Sequence, residues 1–187
     1  FLESFQLAVP PGEMRLDSQP FLRRAGKNNL QRAYARVFVD TGFGVVTSAS
    51  VIDNLTNDPT TIAMLPAGFE TASTWVPVAS RAAGAKGSVW RSDLGLLNPS
   101  TLAASVTLRF LSGGKEYTNT TQVAPGSQAI LADVIGAIPA SGSGSLAVDA
   151  SQALVVTSRT YNLIAADAAC FPKGTLGQTY ASADATP

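Results

Sequence analysis

The sequence predicts an all-β protein of antiparallel sandwich class, on three observations. Apolar residues recur with period two, strand-length segments are cut by Gly, Pro and Ser, and no convincing amphipathic helix separates them. In order, WVPVA, SVWRSDLGLLN, ASVTLRFL, KEYTNTTQV, SQAIL, GSLAVD, ALVVTSRTYN and TLGQTYAS give about eight short strands between Trp75 and Ala181. ASVTLRFL is the plainest: Val106, Leu108 and Phe110 fall on one face, Ser105, Thr107 and Arg109 on the other. SGG, APG and ASGSG punctuate the run, and only LADVIGAI holds a short helical turn. Within VWRSDLGLLN, Trp90, Leu94 and Leu96 form the core-facing set. Arg91 and Asp93 face outward as a surface pair, and Asn98-Pro99 ends the strand.

Composition bounds the chemistry. The 187 residues suffice for a sizeable core without metal or disulfide staples. Thirteen basic and thirteen acidic side chains cancel, which argues against nucleic acid or an anionic membrane as partner. Charged residues are 14%, against about 25% in ordinary domains, a balance suited to strands and tight turns. With no histidine, Ser-His-Asp and Cys-His sites are excluded, and the one cysteine, Cys170, has no intrachain partner. No apolar run reaches the roughly 20 residues that a membrane span needs. FLESFQLAVPP lacks the basic start and apolar core of a signal peptide, and a chain beginning without Met reads as an excerpt or a mature product.

Internal similarity organises the chain. AVPPGEMRL resembles QVAPGSQAIL, and YARVFVDTGFGVVTSAS resembles SRTYN followed by GTLGQTYAS, in the same order; the later copy carries LIAADAACFPK as an inserted loop. Residues 1–67 thus read as the second half of a module, and 75–187 as a complete one, joined by AGFETAST; one larger sandwich of all the strands is the alternative. A half-module leaves an apolar face needing a cover, from a preceding segment, the neighbouring module or another copy. Homo-oligomers through edge strands or half-module contact follow from the last.

Two constellations stand out. Tyr34, Arg36 and Phe38 share a strand face, as do Arg159 and Tyr161, so each copy sets a guanidinium beside a ring. They read as outer-face stacks or as a platform for sugar or peptide, to which Trp75 and Tyr117 could add exposed rings. DNLTNDP gathers Asp53, Asn54, Asn57 and Asp58, the hard oxygen ligands that Ca²⁺ prefers, but without EF-hand spacing; the same residues make Asx-turns. No other cofactor is expected. Two sequons, Asn54-Leu55-Thr56 and Asn119-Thr120-Thr121, are patterns too short to build on. No carboxylate pair sits in a recognisable catalytic signature.

WRSDLGLLNPS, VTLRF, APGSQ, GSLAV, SRTYN and GTLGQ together resemble the tandem immunoglobulin-like β-sandwich modules of bacterial secreted and surface proteins. The resemblance covers 75–187 and, as a partial copy, 1–67. It implies an immunoglobulin-like fold and a secreted or cell-surface location, and carries over no catalytic residues. The expectation is a non-catalytic extracellular module, structural or binding, for adhesion or assembly, with a protein or glycan partner. The runner-up is an accessory carbohydrate-binding domain of a secreted hydrolase, and an enzyme ranks last.

Overall fold

In the computed structural model the described residues are 3–28, 30, 32–53, 56–164 and 174–184. The chain falls into two compact units, residues 1–35 and 36–187. In the first, the four-residue helix α1 (Pro20–Arg23) starts with proline at its first position, where a missing N–H costs nothing. Arg24 ties this unit locally: its Nε lies 2.9 Å from Asp17 Oδ2 and its guanidinium 4.5 Å from the Phe5 ring centroid.

The second unit is antiparallel throughout. A hairpin of β1 (Ser48–Ile52) and β2 (Pro59–Ala63) precedes one curled eight-stranded sheet. Its strands are β3 (Thr71–Ala83), β4 (Val89–Leu97), β5 (Ala104–Ser112), β6 (Lys115–Val123), β7 (Gln128–Leu131), β8 (Gly142–Ile164), β9 (Gly174–Ala181) and β10 (Ala183–Asp184). The short helix α2 (Val134–Ala137) falls where LADVIGAI predicts a turn. GSLAVD and ALVVTSRTYN, expected as two strands, are one 23-residue β8, because nothing between Asp149 and Gln152 punctuates the backbone. Its first half lies between β3 and β5, its second between β4 and β9, so this strand carries the sheet around the core. β3 bends beside it: register shifts fall at Thr71/Ser73 and at Val76/Ala79. The second shift spans Pro77, which has no N–H to give a ladder.

The core is the alternation made solid. Leu94, Leu96, Val106, Leu108, Phe110, Leu146, Val148 and Val156 are buried together, and α2 adds Val134 and Ile135. Burying each Leu or Phe stabilises by roughly 1.5–3 kcal/mol. Asn98, also fully buried, pins one end: its Nδ2 donates to the carbonyls of Leu102 (2.8 Å), Val123 (3.1 Å) and Ala124 (3.3 Å), and its Oδ1 accepts from Ser100 N (3.0 Å). The Asn-Pro corner is therefore also the anchor of the turn that follows β6.

Trp90 departs from expectation. It shares the inward phase of Leu94 and Leu96, yet it is exposed. Between it and the leucines the inner face turns polar: Ser92 Oγ lies 2.7 Å from Thr160 Oγ1 and accepts from Ser80 N at 2.8 Å. Past that hydroxyl row the indole is 38% exposed. It lies over Gly84, where an added Cβ would come within 2.6 Å of Nε1.

Candidate functional site

The other face of β4, β8 and β9 carries the charged residues. Arg91, Asp93, Arg159, Tyr161, Thr175 and Gly177 fall in one phase of the paired strands, with Arg91 opposite Tyr161 and Tyr161 opposite Gly177. Arg91 and Asp93 do not form the surface pair expected of them. Arg91 Nε reaches Asp133 Oδ2 (3.3 Å), which Arg81 Nε also approaches (3.2 Å). Asp93 Oδ1 accepts from Asp133 N and from the Tyr161 hydroxyl, each at 2.9 Å. Side chains two apart on a strand stand roughly 6.5 Å from each other, farther than the groups brought in from neighbouring elements. Burial raises the Tyr161 hydroxyl above its ordinary value, and the Asp93 carboxylate pushes the same way, so it stays a neutral donor.

Arg159 is the hub of the next layer. Its guanidinium lies 5.0 Å from the Tyr161 ring centroid, the stack predicted for this pair. It also donates to Thr175 Oγ1 (3.0 Å), Thr60 Oγ1 (3.2 Å) and Asp58 Oδ2 (3.4 Å). Those contacts bring DNLTNDP to β9. Asp53 Oδ2 accepts from Thr175 Oγ1 (2.7 Å) and Thr175 N (3.1 Å), and Asp58 Oδ2 accepts from Gly177 N (2.8 Å). Thr56 Oγ1 donates to the Thr175 carbonyl at 2.8 Å. Of the four residues proposed as calcium ligands, Asp53 and Asp58 thus spend carboxylate oxygens on backbone and side-chain donors. Asn57 takes the left-handed conformation of the turn (φ 57) and donates its N–H to Asp53 O at 2.8 Å; Asn54 lies outside the described residues. Among the described residues no three carboxylate, cysteine or histidine groups converge as a metal would need.

The remaining candidates make contacts of their own. Arg36 stacks over Phe38 at 5.2 Å, while Tyr34 is exposed and belongs to the first unit. Trp75, half-buried, has the Arg109 guanidinium 6.0 Å from its ring centroid. Arg109 in turn binds Asp149 Oδ2 at 2.9 Å, and Ser73 Oγ donates to Asp149 Oδ1 at 2.6 Å. The Ser73 hydroxyl and then Arg109 hold the Asp149 carboxyl below the usual range. Tyr117 is not the free ring that a sugar platform needs: it packs on the core beside Phe110, centroids 6.5 Å apart. Cys170 lies outside the described residues.

The segment from 36 to 47 exposes apolar side chains. From Arg36 to Thr47 no residue is assigned to a strand, though YARVFVD alternates like one. Phe38 is 71% exposed, Phe43 98% and Val46 93%. Sequence reasoning missed Asp133, Thr175 and Gly177. Only Gly177 left a signal, as a glycine inside a strand pattern; a Cβ there would meet Thr160 O and Tyr161 Cβ at 2.5 Å.

Neither a protein-family model nor a curated protein matches the chain. Among solved structures, the crystal structure of Thermotoga maritima 1070 is similar at a TM-score of 0.46 and 16% identity, over 61% of this chain and 94% of that one.

Proposed function

We propose that this chain is a non-catalytic extracellular module, structural or binding, that works in adhesion or assembly. On this reading residues 75–187 are an immunoglobulin-like sandwich, 1–67 are part of a second copy, and the protein is secreted or held at a bacterial cell surface. Its partner is protein, either another chain or a second copy of this one; nucleic acid and membrane insertion play no part. The observation that carries the proposal is the exposure of three large apolar side chains, Phe38, Phe43 and Val46, on one segment without strand pairing. Large apolar side chains so placed favour association, because burying them against a partner removes their area from water. Light scattering of the wild type against a Phe38→Ser, Phe43→Ser, Val46→Ser variant tests this. Association that the triple variant loses is expected; equal behaviour of the two proteins refutes the reading.

The runner-up, an accessory carbohydrate-binding domain, draws on one observation: Trp75, Arg109, Asp149 and Ser73 lie together on one sheet face. A ring beside hydrogen-bonding groups suits a sugar's apolar face and hydroxyls. A glycan array preference abolished by Trp75→Ala would select it.

A further inference from the structure

Strand β9 pairs with β8 on one side, and along an antiparallel strand alternate residues turn both backbone groups to the other. The hairpin turn meets those outward groups in sequence. Asp53 accepts the Thr175 N–H, Thr56 donates to the Thr175 carbonyl, and Asp58 accepts the Gly177 N–H. Farther along, the Thr179 hydroxyl donates to the Thr61 carbonyl. At Thr175 and Gly177, side chains of the hairpin turn thus occupy the positions that a neighbouring strand's backbone would fill. Besides these bonds the hairpin is held by polar contacts, Arg159 to Thr60 and Asp58 and the Thr175 hydroxyl to Asp53, and not by apolar burial: every residue of β1 is exposed, and β2 buries Thr60 alone.

We propose that the β1–β2 hairpin is a releasable cap on the β9 edge, and that the uncapped edge pairs antiparallel with β9 of a second copy about a two-fold axis. A bare edge is a template for another strand, and proteins block such edges deliberately. A second copy fits because GTLGQTYA carries no charge, so two copies meet without like-charge opposition, and an antiparallel pair of identical strands closes on itself. This surface is separate from the apolar side chains of Phe38, Phe43 and Val46, and the test keeps the two apart.

The background is the triple serine variant, which removes those apolar side chains. Into it go Asp53→Ala and Asp58→Ala. Hydrogen exchange at the Thr175 and Gly177 amides in dilute solution is expected to quicken at least about tenfold, the response of an edge that has lost its acceptors. Sedimentation across a dilution series is expected to show a dimer, and adding Thr175→Pro, which deletes one outward N–H, to abolish it. The milder Thr56→Val shifts both readouts the same way by less, and serves if the double variant unfolds. Constant monomer mass, a dimer that survives Thr175→Pro, or polymers in place of dimers overturns the proposal. Because all three positions are serine throughout, those results leave the apolar reading standing.

Discussion

The stretches 8–50 and 122–182 are built from similar pieces and meet different fates. AVPPG and QVAPG both turn through a glycine in the left-handed region, Gly12 at φ 74 and Gly126 at φ 57. Arg36 stacks on Phe38 at 5.2 Å, as Arg159 does on Tyr161 at 5.0 Å. Yet Val9 is 42% exposed where Val123 is 1%, and Phe38 71% where Tyr161 is 8%. Turn conformation and the i, i+2 stack are local, so a few residues specify them. Burial depends on neighbours: Asn98 pins the APG turn, Val123 pairs with the buried Ala104 and joins the core cluster, and β4 and β9 flank Arg159 and Tyr161.

If neighbours make the difference, removing them should erase it, most of all at Asn98. Asn98→Ala strands the Leu102, Val123 and Ala124 carbonyls, and we expect a loss of about 3 kcal/mol in urea unfolding. Val123→Ala should cost about 2 kcal/mol, and Val9→Ala less than about 0.5 kcal/mol; equal costs would break the comparison. Tyr161→Phe removes a donor to Asp93 and should cost about 1 kcal/mol, while Phe38→Ser costs almost nothing in a dilute sample. The alkaline limb sharpens the same pair. The folded-state pKa of Tyr161 is raised, so its contribution is complete below about pH 10 and fades as pH climbs past it; Tyr161→Phe should flatten that limb.

The smallest effect concerns Asp149. Its folded-state pKa is lowered, so its contribution is present above about pH 4 and is lost as pH falls below that. The stability gap between wild type and Asp149→Asn should therefore narrow in acid. A gap unchanged at pH 2 would mean that the Ser73 and Arg109 contacts contribute nothing through charge.

What the sequence disclosed follows the same division. The strands from Trp75 to Ala181, the helical turn at α2 and the Arg159–Tyr161 stack were legible because alternation and punctuation are local signals. The merger into β8 was not, since Ala150 and Ser151 do not reveal whether a chain turns or runs on. Trp90 followed the right phase, and only the tertiary position of Ser92 and Thr160 shows that the core ends before it. Asp58 and Gly177 are 119 residues apart, so nothing in DNLTNDP announces the edge that it caps.

The central claim of the proposed function is that Phe38, Phe43 and Val46, exposed in the single chain, are covered by a partner surface. Hydrogen exchange of the amides from 36 to 47, followed across protein concentration, addresses it most directly. The account predicts fast exchange when dilute and protection that grows with concentration. Amides as protected in the most dilute sample as in the most concentrated one would contradict it.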